Sequence, residues 1–298
     1  MTPKGFLFDV QPFSLHDGPG TRTTVFMQGC DLRCKWCHNP ESQPINGALL
    51  FYPQKCIGCG ACVSECPAGN GGKTARRTDE CLLCGRCVEA CYAEAVKKSG
   101  RFMDADELTA ELLRDRDTYR KSGGGVTFSG GEPLLQADFV AGVMRRLKDE
   151  NIHTAVETCL CVPWDSVEKV LPLTDLFYAD VKCVTSERHR EGTGGDNRAI
   201  LDNIRRIADA DANLILRTPV VPGFNDSRDE LEKIGEFVRT LNGQPALELM
   251  AFHNMCAPKY AALGREFLCA DTPQPGRDEM ETYTAILTRM GLDVTYRM

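Results

Sequence analysis

Short runs of apolar and β-branched residues alternate along the chain with longer segments whose apolar positions return every three or four residues. The runs fall at Thr23–Gln28, Val126–Ser129, Thr154–Thr158, Leu176–Lys182, Asn213–Val221 and Ala246–His253. Near-continuous apolar character of this kind suits strands buried in a parallel sheet. The helix-like segments between them are Asp104–Lys121, Leu134–Asn151, Pro163–Leu171, Asn197–Ala210, Asp226–Leu241 and Arg277–Met290. Strand–helix units joined by right-handed crossovers predict an α/β fold, either a partial (β/α)6 barrel open at one side or a doubly wound sheet.

One segment breaks the alternation. Between the first strand and the first helix, residues 49–100 contain "CIGCGACVSECP" (Cys56, Cys59, Cys62, Cys66) and "CLLCGRCVEAC" (Cys81, Cys84, Cys87, Cys91). Each run is C-x2-C-x2-C-x3-C, the spacing of bacterial two-cluster ferredoxins, in which three thiolates of a run hold one [4Fe–4S] cube and the fourth crosses to the other. The spacing therefore assigns Cys56, Cys59, Cys62 and Cys91 to one cluster, and Cys81, Cys84, Cys87 and Cys66 to the second. Gly58, Gly60 and Gly85 let backbone wrap closely round such a group. A pair of four-thiolate zinc sites is the alternative, but those usually come as two separated C-x2-C pairs. The expected organisation is a barrel of residues 1–48 and 101–298, with residues 49–100 as a ferredoxin-like insert.

Composition narrows the function classes. A net charge of −7 and a pI near 5.4 oppose non-specific nucleic-acid binding, which needs a basic footprint. No apolar run approaches the length of a membrane span, and Met1–Gly20 lacks the basic start and cleavage site of a secretory signal, so a cytoplasmic location is expected. In a reducing compartment sixteen cysteines read as metal ligands rather than disulfides.

Polar and metal-ligating residues gather at the C-terminal ends of the expected strands, where barrels of this kind build their sites. Cys30, Cys34 and Cys37 follow the first strand, and Ser129–Pro133 ("SGGEP") follows the second. Glu157 and Thr158 end the third, Asp180 and Lys182 the fourth, Arg217 lies in the fifth, and His253 ends the sixth. Asp180 and Lys182, two apart on a strand, share a face. Three thiolates on a [4Fe–4S] cube leave one iron without a protein ligand, the open position that a substrate-binding metal needs. A three-cysteine zinc site completed by His38 is the competing reading. Cys159, Cys161, Cys183, Cys256 and Cys269 read as small buried apolar residues, with Cys159 and Cys183 nearest the strand ends.

"DGPGTRTTVFMQGCDLRCKWCHNP" (Asp17–Pro40) resembles the signature of the radical S-adenosylmethionine activating enzymes for glycyl radical enzymes. The likeness continues through "SGGEP", "DVK" (Asp180, Val181, Lys182), "GTGGDNRAILDNI" (Gly192–Ile204), "RTPVVPGFND" (Arg217–Asp226) and "AFHNM" (Ala251–Met255), and covers nearly the whole chain. The insert is similar to that of the longer family members. The resemblance implies three [4Fe–4S] clusters and S-adenosylmethionine, chelated by the open iron of the Cys30, Cys34, Cys37 cluster. It implies that Gly130, Gly131 and Glu132 bind the amino end of S-adenosylmethionine, that Lys182 faces its carboxylate or ribose, and that Trp36, His38 and His253 lie near the adenosyl group. Val181 and Arg217 belong to the matched motifs. A monovalent cation is implied at Glu157, Thr158 and Asp180, in a stretch "ETCL" where relatives often carry Gly at the place of Leu160. The implied activity is cleavage of S-adenosylmethionine to methionine and a 5′-deoxyadenosyl radical that takes hydrogen from a glycine of the partner enzyme. A flavodoxin or ferredoxin would supply the electron. A radical S-adenosylmethionine enzyme acting on a small molecule or another peptide is the alternative, and the activase-like stretches Gly18–Asn39 and "DNRAILDNI" speak against it.

Overall fold

The computed structural model describes residues 4–69 and 80–298. Residues 70–79 of the expected insert lie outside the described residues and include none of its eight cysteines. Eleven described strands form: β1 (Lys4–Ser14), β2 (Arg22–Met27), β3 (Leu49–Phe51), β4 (Val96–Lys98), β5 (Arg101–Asp104), β6 (Gly125–Gly130), β7 (His153–Thr158), β8 (Leu176–Asp180), β9 (Leu214–Val220), β10 (Ala246–Ala251) and β11 (Val294–Arg297).

Nine of these make one sheet in the order β11-β10-β9-β8-β7-β6-β2-β1-β5. From β2 through β11 every pairing is parallel, and spatial order follows chain order. A doubly wound sheet reverses direction partway across. This one never does, so its helices collect on one face and the strands curve into an open partial barrel. β11 and β5 end the sheet without pairing to each other among the described strands.

Three differences from the sequence reading have local causes. The first helix is two, Ala105–Leu112 and Arg116–Ser122, joined by a 3₁₀ turn at Leu113–Asp115. Ser186–Thr193 is helical although "SERHREGT" is polar almost all round and shows no apolar period. β1 pairs antiparallel with β2 and β5 at the sheet margin, where half-exposed residues and Pro12 mask the strand signal.

The two faces of the sheet differ in chemistry. Outward residues such as Val25, Phe128, Val156, Phe177, Ala179 and Leu216 meet helix residues including Val140, Met144, Ile204 and Ile234 in one continuous core. The concave face carries Arg22, Thr127, Ser129, Glu157, Tyr178, Arg217 and Glu248 around a small apolar patch of Ala155, Leu176, Tyr178 and Ile215. The apolar runs were legible because each strand is covered on both sides, but alternate residues enter a polar lumen.

The described residues of 49–69 and 80–98 form a small unit with a core of its own. β3 and β4 pair antiparallel with Leu49 opposite Lys98, so the segment leaves and rejoins the main chain at one point. Two short helices, Ala61–Ser64 and Arg86–Glu89, each follow a glycine in the left-handed region, Gly60 at φ 75° and Gly85 at φ 89°. The second cysteine run thus repeats the first in backbone geometry as well as in sequence.

Phe177, 0% exposed, fills the space between sheet and helices. Phe177→Ala is expected to destabilise the protein by about 3–5 kcal/mol, read as a fall in denaturant midpoint at unchanged slope.

Candidate active site

Gly29–Pro40 leaves β2 as a loop and is tied down from several directions. Gly29 N donates to Ser42 O at 2.7 Å and Cys30 N to Gln43 O at 3.2 Å. Arg33 N donates to Thr193 O at 2.7 Å and Lys35 N to Gly192 O at 3.0 Å, which ties the loop to the end of the polar helix. Gln28, fully buried at the end of β2, gives its amide to Glu41 O at 2.8 Å and Pro44 O at 2.7 Å. Trp36 is 6% exposed and packs on Phe224, with ring centroids 4.4 Å apart, beside Val221, Phe252, Tyr260 and Phe267. It is an apolar anchor of the loop.

The loop gathers Cys30, Cys34 and Cys37 into mutual electrostatic contact. Burial pushes the Cys34 thiol up to about 12 and the Cys37 thiol up to about 11. Cys30 is held below its ordinary value because Cys159, from the end of β7, hydrogen-bonds it. The sequence reading treated Cys159 as a packing residue, and the structure sets it against a candidate ligand 129 positions earlier (159 − 30). His38 turns the other way: its ring stacks on His253 at 4.0 Å and its Nε2 lies 3.2 Å from His253 O. Burial lowers the His38 pKa to about 4, so the imidazole is neutral near pH 7.

"SGGEP" serves the protein before any ligand. A Cβ on Gly130 would lie 2.3 Å from Met27 N, and one on Gly131 2.2 Å from Gly29 O, so both glycines are required for β6 to pass the start of the cysteine loop. Glu132 is 0% exposed and accepts from Thr158 Oγ1, Cys159 N and Leu134 N at 2.8–2.9 Å. Burial raises its carboxyl above the ordinary range. Its carboxylate anchors the loop after β7.

That loop explains a departure in the sequence. Leu160 sits at φ 57°, the left-handed conformation that glycine adopts freely, and its N–H donates to Thr158 Oγ1 at 2.9 Å. Asn203 closes the far side by donating to Leu160 O at 3.1 Å and Val162 O at 2.9 Å. The leucine side chain, 0% exposed, fills core space that glycine would leave empty.

Of the three residues in the cation reading, Glu157 and Asp180 share the lumen within electrostatic reach of each other. Glu157 accepts from Ser129 Oγ at 2.6 Å and pairs with Arg217 in the lumen, while Thr158, on the opposite face of β7, turns to Glu132. Asp180 pairs with Lys182; burial opposes the charge of the ammonium, and the Asp180 carboxylate holds its pKa above the ordinary value. Lys182 does stand at the cysteine loop, as its place at the end of β8 suggested. Val181 points outward into the core, 1% exposed. Arg217 is locked deep in the lumen: it bonds Glu157 and, at 2.7 Å, Glu248, lies 3.6 Å over the Tyr178 ring, and donates to His16 O at 3.1 Å. Burial opposes its charge, and the two carboxylates hold its pKa above the ordinary value. Arg217 therefore ties the segment before β2 across the open barrel.

In the small unit, Cys56, Cys59, Cys62 and Cys91 line one cavity together with Phe51, Ile57 and Val96. Cys66, Cys81, Cys84 and Cys87 line a second with Leu49, Pro67 and Leu82. Each cavity has four sulfurs in an otherwise apolar wall.

The fold and the cysteine loop define a class, an open α/β barrel with three thiols gathered at its strand ends. The model of the radical SAM superfamily matches residues 24–238. The (2S)-3-sulfopropanediol dehydratase activating enzyme of Klebsiella oxytoca is 40% identical over 88% of this chain and 86% of its own. The 4-hydroxyphenylacetate decarboxylase activating enzyme of Clostridioides difficile (strain CD196) is 38% identical over 97% of this chain and 95% of its own. A solved domain of a pyruvate-formate lyase-activating enzyme from Bacteroides vulgatus ATCC 8482 superposes with a TM-score of 0.51 at 30% identity, over 59% of this chain and 100% of that domain. The chain belongs to the radical SAM superfamily and, within it, to the activating enzymes of glycyl radical enzymes.

Leu160→Gly removes a left-handed penalty of about 1–2 kcal/mol and a buried side chain worth about 2–5 kcal/mol. The balance is a net loss of up to about 4 kcal/mol, measured by chemical denaturation; a stabilised variant would show that the side chain adds little.

Proposed function

We infer that the chain activates a partner glycyl radical enzyme, and that Cys30, Cys34 and Cys37 hold the [4Fe–4S] cluster of that reaction. The observation that carries the assignment is the convergence of these three sulfurs beside the Lys182–Asp180 pair. When bound, the cluster supplies one electron to S-adenosylmethionine, giving methionine and the 5′-deoxyadenosyl radical that abstracts hydrogen from the partner's glycine. Cys34 and Cys37 suit such a group: half-buried thiols whose pKa is raised become stable thiolates only against a cation, and metal binding releases their protons. Among the described residues no three His, Cys, Asp or Glu converge closely enough to share a single ion. A cube spreads its ligands further apart, and His38, stacked on His253, is not turned to complete a zinc site.

The chain's own part is placement and exclusion. Lys182 offsets the negative charge of the thiolates and carries a fixed cation to the mouth. His253 Nδ1 is buried without a hydrogen-bond partner among the described residues, a polar atom free for the nucleotide side of S-adenosylmethionine. Trp36 and its apolar neighbours seal the loop from water, and cofactor chemistry of this kind needs that shelter more than it needs acid–base groups.

The segment 49–100 reads as a two-cluster ferredoxin-like insert, because its two cavities sort the eight cysteines four and four with one crossing from each run. On this reading the insert relays electrons from a low-potential flavodoxin or ferredoxin. No described helix is long and apolar enough to cross a membrane, which agrees with soluble protein partners.

Anaerobically purified wild type is expected to hold about twelve irons, four per cube. Cys34→Ala should retain about eight and form no 5′-deoxyadenosine with reductant and S-adenosylmethionine; cleavage that survives contradicts the ligand assignment. Incubation with a glycyl radical enzyme should produce a glycyl doublet by electron paramagnetic resonance, and 5′-deoxyadenosine without that doublet points to another substrate.

A further inference from the structure

The turn Lys182–Thr185 lies between β8 and the helix Ser186–Thr193 and belongs to neither. Its backbone groups are met mostly by side chains from elsewhere. Asn225 donates to Lys182 O at 2.8 Å, and Asn197 donates to Cys183 O and Val184 O at 2.9 Å. Glu230 takes the donors of the same turn: Val184 N at 2.6 Å, Thr185 N at 3.1 Å, the Thr185 hydroxyl at 2.6 Å and the Cys183 thiol at 3.1 Å. The glutamate is 1% exposed. A carboxylate is costly to bury unless its lone pairs are used, and a network satisfied in this way allows one geometry.

Glu230 had a local use that it does not take. Ser227 and Glu230 have the spacing of a capping box at the start of the helix Arg228–Arg239, and Ser227 Oγ does accept from Glu230 N at 3.3 Å. The carboxylate goes instead to the turn after β8. That turn joins two parts of the mouth. At its start stands Lys182, paired with Asp180. At its end Thr185 begins the helix whose last residues hold the cysteine loop, through Lys35 N on Gly192 O and Arg33 N on Thr193 O. Fixing the turn fixes the lysine relative to the three thiols.

We propose that Glu230 is a positioning residue for the S-adenosylmethionine site: by clamping Cys183–Thr185 it sets the place of Lys182 beside the cysteine loop. The inference rests on the reading that Lys182 faces S-adenosylmethionine. Glu230 itself is sealed in the protein and acts through the lysine.

The test uses the full-length, anaerobically reconstituted protein and takes the dissociation constant of S-adenosylmethionine from the change it makes in the electron paramagnetic resonance spectrum of the reduced cluster. Glu230→Leu removes every acceptor, and binding should weaken about tenfold. Glu230→Gln keeps an oxygen for the two backbone donors and can give its NH₂ to the Thr185 hydroxyl, so it should stay within about twofold of wild type. Lys182→Met supplies the other arm of a double-mutant cycle, and in that background Glu230→Leu should weaken binding by no more than about twofold further. A repeated loss of about tenfold in the double variant overturns the proposal, because independent effects multiply. So does a leucine variant that binds like wild type, or a glutamine variant as poor as the leucine one. Met144→Ala truncates the core behind β6 and β7 and controls for lost stability: it should unfold at lower denaturant yet bind as wild type does, and equal weakening there also overturns the proposal. Should Glu230→Leu fail to fold, Thr185→Val, which removes only the hydroxyl, carries the same cycle with a first step of about threefold. A Lys182→Met protein that binds as tightly as wild type takes away the lysine reading itself, and is thereby told apart from a failure of Glu230 alone.

Discussion

Three sulfurs are gathered in one half-buried loop, two of them costly as thiolates until a cation neutralises them, and most of the surrounding structure follows from keeping them there. The loop has little regular secondary structure of its own, so its backbone groups find partners in the 39–44 segment, the 192–193 turn and the glutamine at the end of β2. The 39–44 segment and Gln28 belong to the loop's own unit, and the 192–193 turn to the unit after β8. The sequential barrel is what makes this possible, since parallel strands deliver every following loop to the same edge.

The same economy runs through the residues that look catalytic in isolation. Glu132, Glu157 and Arg217 are charged and close to the mouth, yet each is spent on another part of the protein: the loop after β7, the Ser129 hydroxyl, the strap at His16. Removing one partner from so buried a set would leave an uncompensated charge. They hold a polar lumen rigid around a reaction whose hard chemistry resides in the cofactor. Lys182 and the unpaired nitrogen of His253 are the groups left to face a ligand.

The insert obeys a separate logic. A unit of some fifty residues can bury little apolar surface, and its core is a handful of residues: Leu49, Phe51, Ala95, Val96 and the cysteines themselves. Its shape is set by turns and left-handed glycines wrapped round two sulfur-lined cavities. Metal binding would supply folding free energy that the apolar core cannot.

Cysteine spacing and the recurrence of apolar runs were enough by themselves to show the alternating fold, the cysteine-rich stretch that interrupts it and the three-cysteine loop. Those signals are local: C-x3-C-x2-C lies within one loop, and a strand buried on both faces is apolar wherever it sits. What only the folded chain decided are relations between distant residues. Cys159 meets Cys30, Gln43 is turned by Arg265, and Leu160 takes a glycine's conformation because Thr158 and Asn203 bracket it. The choice of barrel over doubly wound sheet was of the same kind, since strand order is set by how units stack and not by anything within a unit. A hydrogen bond between side chains more than a hundred positions apart leaves no period or spacing to read; it exists only once the packing of the barrel has brought its two ends together.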